Sequence, residues 1–133
     1  MTKSNVKITE PKLLTETELE LMNILWRLEE GTVAEVIELL PKERDLAYTS
    51  VSTILRILEQ KGILKIRKEG RGHIYIPQLK KNDYEAKTVK HIVNRVFDGT
   101  PVALVRQLLD SVKLNKNDLK EIRDLIDQAS EKK

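Results

Sequence analysis

Residues 47–64 read AYTSVSTILRILEQKGIL, and this stretch decides the fold. Its apolar side chains recur at the three- and four-residue spacing of a helix that is buried along one side. They are Val51, Ile54, Leu55 and Leu58. Gly62 follows at the point where such a helix stops, because glycine readily takes the left-handed conformation that ends helices. The stretch therefore predicts a helix over about 48–61.

The opposite face of this predicted helix is polar and carries no carboxylate. Its members are Thr49, Ser52, Thr53, Arg56 and Gln60. Hydroxyl groups can donate to or accept from base edges, arginine can form two hydrogen bonds with guanine, and no anion repels the phosphates. A solvated helix face more often intersperses Glu with Lys. The pattern therefore favours insertion of this helix into the major groove of DNA.

A β-hairpin is predicted directly after this helix. Residues 63–68 and 73–77 are rich in β-branched and aromatic types, and the turn between them contains Gly70 and Gly72. The basic side chains of the hairpin are Lys65, Arg67, Lys68 and Arg71, and His73 is added to this set. Beside a groove-binding helix, such basic residues meet the flanking phosphates or the adjacent minor groove. Lysine also discourages edge strands from aggregating, and both roles are compatible.

Local start and stop signals mark the other helices. Capping boxes, in which two residues three apart satisfy each other's backbone amides, are predicted at Thr15–Glu18, Thr32–Glu35, Asn82–Glu85 and Asn115–Asp118. Pro101 follows Thr100 in a first turn, where its missing N–H costs nothing. Gly31 is predicted to end the first helix in the left-handed conformation. The resulting helices lie at about 16–29, 33–40, 83–97, 101–113 and 116–130.

Three helices followed by a hairpin is the order of a winged helix-turn-helix domain. The predicted fold class is therefore mainly α with a small β-hairpin. We expect a flexible N-terminal arm over 1–12, a winged-helix DNA-binding domain over 13–78 and a helical dimerisation domain over 79–133. Trp26 lies on a predicted first helix that is apolar nearly all round, and we expect it in the core.

The composition excludes several classes of protein. The chain of 133 residues has no cysteine, which excludes disulfides and thiolate metal sites. No apolar run approaches the roughly 20 residues of a membrane span, and the polar start lacks the apolar core of a signal peptide. We therefore expect a soluble, cytoplasmic protein.

Positive charge is concentrated in the middle of the chain. Residues 44–81 carry nine Lys and Arg against three Asp and Glu, whereas residues 1–43 carry five against nine. This distribution suggests one face built for a polyanion, although a solvated charged surface would give the same counts.

An enzyme is not expected, and neither a cofactor nor a metal is predicted. The two histidines, His73 and His91, fall in the hairpin and on an amphipathic helix, without a metal-binding cluster, nucleophile elbow or phosphate loop. Two other functions remain open. A winged helix that binds proteins and not DNA predicts an acidic or apolar face on the 48–61 helix. A sequence-indifferent DNA binder shares the basic hairpin but needs no base-reading helix.

The chain resembles the penicillinase-repressor (BlaI/MecI) family of bacterial transcriptional regulators, which includes the copper-responsive CopY repressors. The resemblance is carried by LTETELELM (14–22) with Leu25-Trp26 and by GTVAEV (31–36). More specific are AYTSVSTIL (47–55) and LEQKGIL (58–64), and the similarity extends over residues 13–130.

The resemblance implies a repressor that binds a near-palindromic operator as a homodimer, in an antibiotic or cell-envelope stress circuit. The positions that match the family's base-reading residues are Thr49, Ser50, Ser52, Thr53 and Arg56. Tyr48 matches a tyrosine at the helix entry, where it is expected to meet a phosphate. The chain departs from the family at Ile57, where arginine is common, and this departure bears on operator preference.

The resemblance also bears on the inducing signal. Copper-sensing members carry a cysteine-rich tail, and this chain has no cysteine. Staphylococcal penicillinase repressors are inactivated when the protease pathway of a membrane-bound zinc-peptidase sensor cuts one peptide bond in the dimerisation region. Gln107-Leu108 aligns with that bond. Cleavage there is a hypothesis, which fails if the protein stays full length while the inducer releases the operator.

The helices after Lys81 have apolar faces that must be buried against other apolar surface. About 50 residues are too few to bury these faces alone, so a second copy of the chain is expected to pack against them. Packing back onto the winged helix of the same chain is the alternative. The residues expected to form the dimer interface are Val89, Val93, Val96, Phe97, Val105, Leu108, Leu109, Leu119, Ile122, Leu125 and Ile126.

Overall fold

The structure is a computed structural model that describes residues 13–132. Its helices are α1 (Glu16–Leu28), α2 (Val33–Leu39), α3 (Tyr48–Gln60), α4 (Lys81–Arg95), α5 (Pro101–Ser111) and α6 (Lys116–Glu131). Its strands are β1 (Leu64–Glu69) and β2 (Gly72–Pro77), which follow α3. The predicted fold class, three helices and a hairpin followed by further helices, is confirmed. The predicted flexible arm over 1–12 lies outside the described residues.

The chain forms two compact units that divide after Val89, within α4. The sequence placed the end of the winged-helix domain at Gln78. The start of α4 belongs to the first unit because Tyr84 is buried there, and its hydroxyl accepts a hydrogen bond of 3.0 Å from the Leu14 amide. Its ring also lies 6.0 Å from that of Trp26.

The core of the first unit is formed by α1, α2, α3 and the hairpin. Trp26, which was expected in the core, is half-buried and packs against its edge, and its indole N–H donates to the Leu79 carbonyl at 2.8 Å. The predicted buried stripe of α3 is confirmed, with Ile54 at its partly exposed edge. The fully buried side chains are Leu21, Met22, Leu25, Val36, Val51, Leu55, Leu58 and Leu64.

Three of the four predicted capping boxes are confirmed, and they begin α1, α2 and α6. The one predicted at Asn82 and Glu85 is wrong. The helix begins earlier, at Lys81, and its first turn is closed by a hydrogen bond of 3.0 Å from the Tyr84 amide to the Lys80 carbonyl. Asn82 and Glu85 therefore lie inside the helix and not at its start.

The end of α1 also differs from the prediction. Glu29, not Gly31, has the positive φ, at 75°, and its amide donates to the Leu25 carbonyl. Gly31 instead forms a one-residue β-bridge with Tyr75. A Cβ at Gly31 would lie 3.1 Å from a methyl carbon of Leu28, so glycine is used here for close packing. The prediction for Gly62 is confirmed, since its φ is +83° just after α3.

The second unit consists of the end of α4 with α5 and α6. None of residues 90–132 is fully buried, although each helix has an apolar side. Thr100 and Pro101 begin α5 as predicted, but the Thr100 side chain makes no capping hydrogen bond. Among the described residues, no helix has the length and apolar character needed to cross a membrane.

Glu18 links the start of α1 to the end of α3. One carboxylate oxygen accepts from the Thr15 amide at 3.0 Å, and the other lies 2.9 Å from the Lys61 ammonium. Burial is the largest single effect on the Glu18 pKa and raises it. The hydrogen bonds from Thr15 and Lys61 and the charge of Lys61 together outweigh burial, so the pKa lies below its ordinary value of 4.5.

We expect Glu18→Gln to lower the free energy of unfolding by about 1 to 2 kcal/mol at pH 7, because the ion pair with Lys61 is lost. The folded pKa of Glu18 is depressed, so this stabilisation is complete above pH 4.5 and disappears as the pH falls through the folded value. Urea unfolding at pH 7 and pH 3 measures the difference. Glu35→Gln is the matched control, because Glu35 caps α2 in the same way. A loss for Glu18→Gln that does not shrink at pH 3 would contradict this account.

Candidate nucleic-acid interface

The predicted base-reading residues of α3 lie on its solvent side. Tyr48, Thr49, Ser50, Thr53 and Arg56 are exposed, and Ser52 is half-buried. The burial of Val51, Leu55 and Leu58 on the other side of the helix fixes this orientation. The exposed side thus offers hydroxyls, a guanidinium and the phenol of Tyr48, which is 59% exposed. Glu59, the one carboxylate of α3, is half-buried.

The N-terminus of α3 differs from those of α1, α2 and α6. Its N-cap residue is Ala47, and no side chain forms a capping hydrogen bond there. The amides of the first turn, which includes Thr49 and Ser50, are therefore left for water or for an anion. A helix N-terminus attracts phosphate groups through these amides and through its dipole.

Tyr75 fixes the hairpin against both α3 and the loop after α1. Its amide donates to the Gly31 carbonyl at 2.8 Å, and the Gly31 amide donates to the Tyr75 carbonyl at 3.0 Å. Burial raises the pKa of the Tyr75 hydroxyl, and the charge of Arg56 lowers it, while Glu59 and Tyr48 raise it. Tyr75 is buried in the same core cluster as Val51, Leu55 and Leu58 of α3. The hairpin therefore has a defined position next to the exposed side of that helix.

The register of the hairpin divides its cations between two faces. Lys68 pairs with His73, and Ile66 pairs with Tyr75, so all four side chains share one face. The His73 and Tyr75 rings meet edge to face with centroids 6.5 Å apart. Lys68 and His73 thus lie on the hairpin face that packs toward α3.

The other predicted wing residues lie elsewhere on the hairpin. Lys65 and Arg67 pair with Ile76 and Ile74, so they occupy the opposite face. Arg71 is exposed in the turn between the strands. All five predicted wing residues are exposed, but the structure does not bring them to a single surface.

Arg67 is held by an acidic partner that the sequence analysis missed. Its two terminal nitrogens lie 3.1 and 2.9 Å from the two carboxylate oxygens of Glu30, and Glu69 lies 3.4 Å away. The hydrogen bonds that Arg67 donates to Glu30 lower the pKa of Glu30 and raise the pKa of Arg67. Residues 30 and 67 are too far apart in sequence for a spacing rule to connect them. The β-bridge between Gly31 and Tyr75 brings their two segments together.

The residues predicted for the dimer interface are spread over α4, α5, α6 and the segment after α4. Eight of them are exposed, and Val93, Phe97 and Ile122 are half-buried. The proposed cleavage position, Gln107-Leu108, lies inside α5, where the Gln107 side chain accepts a hydrogen bond of 2.8 Å from the Ser111 hydroxyl. The interface and the cleavage position both stay predictions.

Among residues 13–132, no group of three or more His, Asp or Glu side chains could hold a metal ion.

Comparison with known proteins identifies the family. Residues 14–128 match the family described as Penicillinase repressor. The chain belongs to the penicillinase repressor family. The resemblance stated from the residues is thereby confirmed.

Several relatives of the family are similar over most of this chain. The penicillinase repressor of Bacillus licheniformis is 28% identical over 120 residues, which cover 90% of this chain and 94% of that protein. The penicillinase repressor of Staphylococcus aureus is 25% identical over 119 residues, with coverages of 90% and 94%. A solved structure of monomeric Bacillus licheniformis BlaI in complex with the blaP half-operator is 33% identical, covers 57% of this chain and 92% of that chain, and has a TM-score of 0.47.

The Arg67–Glu30 ion pair gives a testable difference between two wing cations. We expect Lys68→Ala to reduce the salt dependence of DNA binding by about 0.9 in the slope of log affinity against log salt, the effect of one phosphate contact. Arg67→Ala should reduce it less, because Glu30 already balances the charge of Arg67. Fluorescence anisotropy between about 50 and 200 mM salt measures both slopes. Lys132→Ala, after α6, is the control, and equal losses for Arg67 and Lys68 would contradict the expectation.

Proposed function

We propose that this chain is a sequence-specific DNA-binding transcriptional repressor that acts as a homodimer on a near-palindromic operator. The observation that carries the proposal is the solvent side of α3, where hydroxyls and Arg56 are exposed beside an anchored, basic hairpin. Such a surface suits base edges and phosphates of duplex DNA. Membership of the penicillinase repressor family supports the same function.

The competing functions fit this surface less well. A winged helix that binds only proteins would present acidic or apolar side chains on α3, whereas Thr49, Thr53 and Arg56 are exposed here. A sequence-indifferent DNA binder would not need this set of hydrogen-bonding groups. Members of this family are transcriptional repressors and not enzymes, and we propose the same for this chain, in the cytoplasm.

Homodimerisation is supported by the apolar surface of the second unit. Val96, Leu125 and Ile126 are 66%, 59% and 56% exposed, and no residue from 90 to 132 is fully buried. Large apolar patches on a soluble chain are typical of interaction surfaces. A second copy presents the same apolar side, so a two-fold dimer can cover both at once. Two linked winged helices would then match the two halves of a palindrome.

The inducing signal is proposed from the resemblance alone. A membrane-bound zinc-peptidase sensor would start a protease pathway that cuts at or near Gln107-Leu108. That bond lies within α5, a helix of 11 residues. Helices of this length are marginal without tertiary packing, so local unwinding that admits a protease is physically accessible. A gene for such a sensor beside the gene for this chain would support the pathway, and an induced, intact protein that has left its operator would exclude it.

Selection from a random duplex library at about 150 mM salt tests the function, because non-specific binding is weak there. We expect enrichment of an inverted repeat whose half-sites are separated by about 10 base pairs or a multiple of that. Arg56→Ala should relax one base position in each half-site at a cost of about 1–3 kcal/mol. Failure to bind any duplex would favour the protein-interaction function, and binding without enrichment would favour the sequence-indifferent one.

Dimerisation has its own test on α6. Ile126→Asp should shift the chain from dimer to monomer in sedimentation equilibrium, because a carboxylate at an apolar interface is desolvated without a partner. Gln128→Asp, which is exposed on the same helix, is the matched control and should leave the dimer intact. If Ile126→Asp sediments as the unchanged species, the apolar side of α6 does not form the interface.

A further inference from the structure

Ile57 is an exposed aliphatic side chain on the helix proposed to enter the groove. It is 39% exposed, whereas the other aliphatic residues of α3 are buried or half-buried. The buried stripe explains Val51, Leu55 and Leu58 but not Ile57, which lies on another side of the helix. Exposed apolar side chains are ordinary on protein surfaces, so exposure alone does not indicate a function for Ile57. Its position on α3 does.

The neighbours of Ile57 place it at the edge of the polar side of α3, beside Thr53. Thr53 lies one turn before it and Ser50 two turns before it, so the three side chains form one exposed row along the helix. Arg56 is exposed in the adjacent row. Lys61 lies one turn after Ile57, and its ammonium is turned to Glu18 at 2.9 Å. Ile57 is therefore the last residue of this row that is free to face the groove, because the next one, Lys61, is paired with Glu18.

The chemistry of the major groove limits what an isoleucine can recognise there. It has no hydrogen-bond donor or acceptor, so it can contact neither a phosphate oxygen nor a polar base edge productively. The 5-methyl group of thymine is the apolar group that the base pairs present in the major groove. Contact between the two would remove apolar surface of both from water, which is favourable.

We propose that Ile57 is a specificity residue that reads thymine through its 5-methyl group. The inference rests on the proposed function, since it assumes that α3 lies in the major groove. It assigns one base preference to a side chain that forms no hydrogen bond. Arg56 and the hydroxyl residues supply the polar contacts, and Ile57 supplies an apolar one at the end of the Ser50–Thr53 row.

The test removes the methyl group from the DNA and the side chain from the protein. Duplexes are made from the sequence selected by the wild-type chain, with each thymine replaced in turn by deoxyuridine, which lacks only the 5-methyl group. Affinities are measured for the wild type and for Ile57→Ala, Thr53→Ser and Leu39→Ala. Leu39 is the matched apolar control, because it is 43% exposed but lies on α2. Thr53→Ser removes the other methyl group of the row.

We expect one thymine position per half-site at which deoxyuridine weakens wild-type binding about fourfold, the effect of about 0.8 kcal/mol for one buried methyl group. Ile57→Ala should bind the thymine duplex about fourfold more weakly and show no further loss with deoxyuridine. Leu39→Ala and Thr53→Ser should both keep the deoxyuridine penalty. Circular dichroism melting should show Ile57→Ala folded, because Ile57 does not belong to the buried core of the first unit.

Three outcomes would overturn the inference while the proposed function stands. The first is that deoxyuridine weakens binding at no thymine of the selected site. The second is that Ile57→Ala keeps the full deoxyuridine penalty, and the third is that Thr53→Ser abolishes it. If the wild-type chain selects no sequence at all, the proposed function fails first and the inference fails with it. Selection of an inverted repeat is thus the result that separates the two.

Discussion

The packing of Val51, Leu55 and Leu58 into the core is the constraint on which the rest of the structure depends. These three side chains have no exposed surface, and they project from one side of α3. A helix is rigid about its own axis, so burying one side determines what the other side presents. Rotation of α3 by even one residue would expose apolar surface and bury Arg56 or a hydroxyl without a partner, and both changes are unfavourable.

The hairpin is positioned by the same core through Tyr75. Its ring is buried, and its backbone completes two hydrogen bonds with Gly31 across the loop after α1. Arg67 and Glu30 then brace the outer face of the hairpin against that loop. Arg67 thus helps to hold the hairpin in place. Lys68 lies on the face toward α3, and within residues 13–132 it forms no ion pair with another side chain. The two basic side chains differ in what they can offer a phosphate although they are adjacent in sequence.

The sequence predicted those features that depend on residues close together in the chain. Helix spacing gave the buried stripe of α3, and capping boxes gave the starts of α1, α2 and α6. The features it missed depend on distant residues: Gly31 opposite Tyr75, Glu30 beside Arg67, and Tyr84 against Trp26. The prediction for Gly31 was wrong and that for Arg67 was incomplete, because contacts with residues distant in the chain determine the roles of both. The exposed side of α3 was predictable because its buried residues recur at helical spacing, and the exposed residues are those on the opposite side of the helix.

The two units differ in what holds them together, and this difference bears on control. The first has a core of fully buried side chains, whereas residues 90–132 contain none. Helices of 11 and 16 residues without a core gain most of their stability from whatever covers their apolar sides. If that cover is a second copy, folding of this unit and dimerisation are linked, and both depend on protein concentration. Linking two winged helices raises the effective concentration of the second at its half-site. In such a dimer, any event that unfolds the second unit would weaken operator binding without altering a single contact of α3.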